Sequence, residues 1–431
     1  MNIALINPPS SFLLDDRVFP YLGLLSVATQ MQWNGDKVEM FDLSGRKDFL
    51  DATWDIADNG FDWFGITSTS ANFPNAYRIN QEIKAMNPYN KTMIGGPHAT
   101  AMGQVRRINP NDPNIKALEE FDKIIEGDGE NYPDAINSGT KWNKMKMIDV
   151  NTNFIPNRKF YDMDSYKFQM NGRKATTILT QRGCPFRCEF CCGRDIESYR
   201  TSRMRKPDGV LKEMEYLENQ YGFRSFMWFD DEINISKPRI EELAKRLKKV
   251  GYTHRGFIRS DLADGRTLDL LAEAGFVELC TGVESGSDRI LKILNKGLTS
   301  AQNKTIARMI KERGMRYKAF TMVGNPDETY DDVMMTRDWL FEVKPDSFDV
   351  AMLQPYPGSI LYDQAMPDST YPQYEWQHKG LFFTKPDYSK QVVFHKGTPG
   401  EYKCYSRTRH LTSDRLIELR EQVEREAKCT K

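Results

Sequence analysis

Net charge is missing from this chain: 60 Lys and Arg balance 60 Asp and Glu across 431 residues. A neutral chain lacks the basic surplus of a polyanion binder, so no nucleic-acid partner is expected. No apolar run approaches membrane-spanning length, so no membrane span is expected. The opening Met1-Asn2-Ile3-Ala4-Leu5-Ile6-Asn7-Pro8-Pro9 has no basic lead and its apolar run soon breaks. It reads as a strand rather than a signal peptide. Histidine is scarce, with His98, His254, His378, His395 and His410 far apart, so no H-x3-H pair exists. The seven cysteines are odd in number and mostly clustered, which argues against a disulfide framework. No G-x-G-x-x-G follows the first strand, which leaves a nicotinamide site without support. The expectation is a cytoplasmic protein of a reducing compartment.

An apolar fraction of 39% with seven tryptophans is ample for buried cores, and the length suits two or three domains. Residues 1–136 alternate short β patterns with helical ones. Strands are expected at Ile3–Asn7, Lys37–Phe41, Trp63–Ser68, Thr92–Gly96 and Lys123–Glu126, and helices at Tyr21–Trp33, Asn75–Met86 and after Gly129. Alternation of this kind predicts an α/β fold, here a doubly wound, Rossmann-like parallel sheet with its ligands beyond the carboxyl ends of the strands. Residues 137–173 show no period and read as a linker. A second alternating series over 174–365 predicts six βα units, a partial barrel of the TIM type, with chemistry at the carboxyl ends of its strands. Residues 366–431 read as an aromatic, irregular region closing in a charged helix, either a small tail domain or a lid.

The most specific signal is Gln181-Arg182-Gly183-Cys184-Pro185-Phe186-Arg187-Cys188-Glu189-Phe190-Cys191-Cys192. Cys184, Cys188 and Cys191 stand at C-x3-C-x2-C, directly after the first strand of the barrel series. Thiolate suits iron–sulfur clusters and zinc. A zinc site wants four ligands, normally as two pairs, and no second pair exists. A four-cysteine electron-transfer cluster would recruit Cys280 or Cys404. The third option is a [4Fe-4S] cluster held by three thiolates, with one iron open to a small molecule. Cys192 reads as a bystander, with a redox role as the alternative.

This loop, C-x3-C-x-aromatic-C after a first barrel strand, resembles the radical S-adenosylmethionine superfamily. The resemblance implies that the open iron is chelated by the amino and carboxylate groups of S-adenosylmethionine. It further implies reductive cleavage to methionine and a 5′-deoxyadenosyl radical, an external electron donor of flavodoxin or ferredoxin type, and a small-molecule substrate. Carried over residue by residue, it places Phe190 against the adenine. It places Asp230-Asp231-Glu232 where an acidic or Gly-Gly-Glu turn holds the methionine amino group. Arg259, on an expected strand Phe257–Arg259, and Glu284-Ser285 resemble the positions for carboxylate and ribose. Gly324 opens a Gly-Asn-Pro-Asp-Glu-Thr turn near the adenine, with Asp327 where glycine is usual.

The first domain resembles the cobalamin-binding domain that precedes the barrel in one branch of that superfamily. The matching turns supply Asn7, Pro8, Gly95, Gly96, His98, Glu126, Gly127 and Gly129, with Ser68 at a further strand end. The D-x-H-x-x-G signature that donates a histidine to cobalt is absent, and His98 resembles a turn or nucleotide-tail contact more than a cobalt ligand. The resemblance implies three cofactors: a [4Fe-4S] cluster, S-adenosylmethionine and cobalamin. C-methyl transfer is the commonest outcome it suggests; cyclisation, oxidation, rearrangement, an enzyme without cobalamin, and a non-enzymatic electron carrier or sensor are the alternatives.

Overall fold

The computed structural model describes residues 1–10, 15–151, 155–193, 195–390 and 401–429. The chain forms two compact units. One comprises Met1–Phe168, Asp195–Ser198 and Pro386–Gly397; the other comprises Gln169–Arg194, Tyr199–Lys385 and Thr398–Lys431.

The first unit is built on a parallel six-stranded sheet of β1 (Asn2–Asn7), β2 (Lys37–Asp42), β3 (Trp63–Thr67), β4 (Thr92–Gly95), β5 (Lys123–Glu126) and β6 (Trp142–Lys144). Every residue of β3 is buried, as are Ile3–Asn7 of β1, which explains their near-continuous apolar composition: both faces are covered. The strand order β2-β1-β3-β4-β5-β6 reverses direction between β1 and β3. That reversal opens a crevice at their carboxyl ends, where doubly wound sheets take ligands. Strand β6 lies in the stretch that shows no period, because three residues are too few to display one. The helix Pro97–Ile108 starts directly at the Gly96 turn, with proline in its first turn where a missing N–H does no harm.

The second unit begins with a short hairpin, β7 (Gln169–Met170) and β8 (Arg173–Lys174). Its main sheet then starts at β9 (Thr176–Ile178). Next come β10 (Gln181–Arg182) and β11 (Arg203–Met204), which pair antiparallel and close the base of the cysteine loop. The main sheet continues through β12 (Ser225–Trp228), β13 (Thr253–Phe257), β14 (Phe276–Glu284), β15 (Arg316–Val323) and β16 (Ser347–Met352). The order β16-β15-β14-β13-β12-β9 is parallel throughout, which makes the expected six-stranded partial barrel.

The region read as irregular holds a four-stranded antiparallel sheet: β17 (Met366–Tyr371), β18 (Tyr374–His378), β19 (Leu381–Phe383) and β20 (Ser406–Thr408). Most of β17 is exposed, so no in–out alternation marked it. Leu381, Phe382 and Phe383 are buried. The final helix Ser413–Cys429 buries Leu416, Leu419, Val423 and Ala427 at helical spacing. No helix among the described residues is long and apolar enough to cross a membrane.

Candidate active site

The cysteine loop leaves β10 through Gly183, at φ +84°. A Cβ there would lie 2.3 Å from the Thr201 carbonyl oxygen, so only glycine makes this turn. Beyond it Cys184 N–H donates to Tyr199 O (2.9 Å) and Cys191 N–H to Cys188 O (3.1 Å). Asp230, after β12, fixes the root of the loop: it accepts from Thr180 N–H (2.6 Å), Gln181 N–H (3.0 Å) and the Thr180 hydroxyl. Burial pushes this carboxyl up to about 6 against the pull of Arg239 and those hydrogen bonds.

A cavity of about 220 Å³ lies at the carboxyl ends of the strands, and Cys184, Cys188, Cys191, Phe190, Asp231, Glu232, Arg259 and Glu284 all line it. Asp230, Ser285 and Gly324 are not among the lining residues. Asp230 is committed to the loop root. Ser285 is buried and turns its hydroxyl to Thr336 and to the N–H of Ser287. Gly324, at φ +93°, gives its N–H to Glu328 (2.6 Å). Asp327 takes φ +57°, a left-handed step that aspartate tolerates better than most residues do. Its carboxylate is met by Arg289 (3.0 Å) and His410 (3.2 Å).

The strand expected at Phe257–Arg259 runs instead over Thr253–Phe257, so Arg259 follows β13 rather than lying on it. The side chain of Asn234 takes over there, accepting from Arg259 N–H (3.0 Å) and donating to its carbonyl (2.9 Å). The guanidinium lies 3.7 Å from the Phe186 ring centroid and points Nη1 at Cys188 Sγ (3.7 Å). Its other donors go to Asp261 and to Lys296 O (2.6 Å).

Sequence reasoning missed Lys296. It sits in the turn Asn295-Lys296-Gly297, with φ +52° and +72° at its flanks, and no motif marks it. Its Nζ lies 2.9 Å from Glu284 Oε1, with both side chains buried. Burial alone would push this ammonium down; Glu284, Cys188 and Glu232 hold it above its ordinary value. Gly282 makes room: a Cβ there would fall 2.2 Å from Glu284 Oε1 and 2.9 Å from Lys296 Nζ. Glu284 itself holds φ +62°. Glu232 Oε2 is buried without a hydrogen-bond partner, and burial pushes its carboxyl up to about 7 against Lys296 and Arg259. Phe257 and Phe320, ring centroids 5.8 Å apart, complete the wall.

Among the described residues no three His, Cys, Asp or Glu groups stand close enough to hold a single ion. The three thiols share the cavity without forming a closed ligand set. As a donor set they fit an iron–sulfur cluster: soft sulfur from one loop, faced by two buried cations. The partnerless Glu232 oxygen and the aromatic wall fit an amine-bearing, adenine-bearing ligand.

In the first unit, Asn7 ends β1 with Pro8 directly after it, and Ser68 follows β3, on either side of the order reversal. Asn7 Nδ2 donates to Asp42 (2.9 Å). Ser68 is fully buried and its Oγ lacks a hydrogen-bond partner. Gly95 ends β4 and Gly96 follows it; a Cβ on Gly96, at φ +92°, would lie 2.8 Å from Ser68 O. Glu126 is buried and paired with Arg107 (2.7 Å). Gly127, at φ +89°, gives its N–H to Thr100 Oγ1 (2.9 Å), and Gly129 opens a short turn. These close backbone turns, with an orphaned hydroxyl among them, fit a large polar ligand at the carboxyl edge.

His98 has a different setting. Its ring is fully enclosed, 4.2 Å from the Phe73 ring centroid, with Nδ1 3.0 Å from Ser70 Oγ. Burial pushes the imidazole down to about 3. Its Nε2 is buried without a hydrogen-bond partner.

A parallel partial barrel with a three-thiol loop and an acidic, aromatic cavity at its carboxyl end defines a radical S-adenosylmethionine protein. Residues 178–340 match the Radical SAM superfamily, and residues 17–109 match the B12 binding domain. The chain is a radical S-adenosylmethionine enzyme with an N-terminal B12-binding domain, and its cofactors are a [4Fe-4S] cluster, S-adenosylmethionine and cobalamin.

Among its relatives is an uncharacterized methyltransferase of Pyrococcus horikoshii, 24% identical over 404 residues, covering 88% of this chain and 86% of the relative. Another is the anaerobic magnesium-protoporphyrin IX monomethyl ester cyclase of Rubrivivax gelatinosus, 27% identical over 337 residues. That match covers 70% of this chain and 58% of the cyclase. The fold is similar to that of the radical S-adenosylmethionine methyltransferase TsrM from Kitasatospora setae, solved with cobalamin and a [4Fe-4S] cluster. The TM-score is 0.67 at 16% identity, over 100% of this chain and 91% of that one.

Proposed function

We propose that the protein is a cobalamin-dependent methyltransferase that acts on a carbon of a small-molecule substrate. The observation that carries this reading is the pairing, in one chain, of a three-thiol cavity with a B12-binding domain. When bound, the cofactors supply a 5′-deoxyadenosyl radical that takes hydrogen from an unactivated carbon and a methyl group to place there.

The chain's own residues bind and orient. Cys184, Cys188 and Cys191 hold the cluster. Glu232 Oε2 has an open acceptor for the methionine ammonium, and Asp231 lies beside it in the cavity wall. Phe190 packs against the adenine. Glu284 accepts from the ribose hydroxyls. Four of the five Arg259 donors are engaged within the protein, whereas Lys296 gives one of three protons to Glu284 and has others for the methionine carboxylate. Arg259 holds the carbonyl of Lys296 and faces Cys188. In the first unit Asn7, Pro8, Ser68, Gly95, Gly96, Glu126, Gly127 and Gly129 line the cobalamin edge. A donor of flavodoxin or ferredoxin type delivers the electron.

The cyclase among the relatives favours a second reading, ring closure without methyl transfer. Incubating the reconstituted, cobalamin-loaded enzyme with trideuteromethyl S-adenosylmethionine and a small-molecule extract separates the two. Methyl transfer places the trideuteromethyl group in a product, dependent on cobalamin. A product that has only lost hydrogen supports cyclisation.

A further inference from the structure

The turn between β18 and β19 stands beside two loops of the active-site unit. His378 pairs with Leu381, which leaves Lys379 and Gly380 as a two-residue hairpin loop with φ +48° and +79°. Loops of this kind favour Asn-Gly or Gly-Gly, because both positions are left-handed. A lysine is out of place there on backbone grounds, and left-handed residues of this sort cluster where function holds them.

The lysine has one clear partner. Its Nζ lies 3.0 Å from Glu189 Oε1, and His378 Nε2 lies 3.4 Å from Glu189 Oε2. Glu189 is buried, between Cys188 and Phe190 in the chain. Its backbone is held as well: its N–H donates to Leu294 O (3.0 Å) and its carbonyl accepts from Leu361 N–H (3.1 Å). Next to the lysine, a Cβ on Gly380 would lie 3.0 Å from Asp327 Oδ1, and Gly380 O accepts from Arg409 N–H (3.0 Å). Thr408 of β20 donates to Glu328 O (2.8 Å). The C-terminal sheet therefore grips both the cysteine loop and the turn after β15. Neither Glu189 nor Lys379 lines the cavity.

We propose that Lys379 and Glu189 form a brace that fixes the middle of the cysteine loop, with Glu189 as a positioning residue and the C-terminal sheet as part of the cluster's housing. This rests on the cluster assignment made above. The brace acts on how firmly the loop keeps its iron, and it is distinct from the residues that meet S-adenosylmethionine.

The test compares wild type, Lys379→Asn, Lys379→Arg and Glu189→Gln after anaerobic reconstitution. Two quantities are read: the rate at which an iron chelator bleaches the cluster absorption, and the melting temperature of the apoprotein. Outer-shell partners of metal ligands typically change metal affinity by about 10–100-fold, so Lys379→Asn and Glu189→Gln are expected to bleach about tenfold faster. Lys379→Arg keeps the wild-type rate. The Lys379→Asn apoprotein melts no lower than wild type, because asparagine suits the turn. Bleaching of Lys379→Asn at the wild-type rate overturns the brace, as does faster bleaching matched by a lower apoprotein melting temperature. Lys379 is half exposed, so this variant decides the matter if Glu189→Gln fails to fold. A wild-type protein that takes up no iron overturns the cluster assignment itself.

Discussion

Lys296 Nζ and Glu284 Oε1 are 2.9 Å apart inside the cavity wall, and each side chain is more than nine-tenths buried. Such a pair is held by its own completeness, because removing one partner strands the other charge away from water. Lys296→Met is expected to lower stability by about 3 kcal/mol. Lys296→Met with Glu284→Gln should recover part of that loss. Denaturant titration of the four proteins checks it, and additive single effects would contradict it.

Asp230 and Glu232 are two residues apart and are expected to fail differently. Asp230→Ala leaves the N–H groups of Thr180 and Gln181 without their acceptor, at about 1–3 kcal/mol each, and unfolding experiments should show the loss. Glu232→Gln removes a carboxylate oxygen that has no protein partner, so stability holds while S-adenosylmethionine affinity falls about tenfold. Calorimetric titration of the reconstituted protein measures the second effect.

Glu328 gives a pH dependence with a fixed sign. Burial pushes its carboxyl up to about 7, against hydrogen bonds from Asn325 and Gly324. Between about pH 4.5 and 7 the native carboxyl keeps a proton that the unfolded chain has released, so this group's contribution to stability falls as pH rises through that window. The full change is about 3 kcal/mol. Glu328→Gln should show a correspondingly shallower loss between those pH values when stability is measured by denaturant titration at each pH.

His98 should be silent toward cobalt. Its ring is enclosed and held neutral by burial. His98→Gln is expected to lose about 1–2 kcal/mol of stability from imperfect burial of an amide. The visible spectrum of bound hydroxocobalamin should keep its maxima. A shift of those maxima in the variant would show that the imidazole had been a ligand.

Much of this was legible in the sequence because the two parallel sheets write themselves into composition. Buried strands such as Ile3–Asn7 and Trp63–Thr67 are near-continuous apolar runs, and the cysteine spacing carries its own chemistry. Lys296 was not legible. A lone lysine in a left-handed turn has no local mark, and only the fold brings it to Glu284. The acidic trio Asp230-Asp231-Glu232 could not be divided either, since which carboxylate faces the cavity depends on how the loop root folds back onto β12. Asp327 shows another case: it takes a left-handed backbone step at a position where the resemblance leads one to expect glycine, and Arg289 and His410 meet its side chain. The C-terminal sheet escaped notice because its last two strands are three residues each and its first is mostly exposed.

The most direct measurement is 5′-deoxyadenosine release from S-adenosylmethionine by the reconstituted, dithionite-reduced protein. The account predicts release by the wild-type protein and by Cys192→Ala, and none by the triple variant Cys184→Ala/Cys188→Ala/Cys191→Ala. Undiminished release by the triple variant, or none by the wild type with its cluster in place, would contradict it.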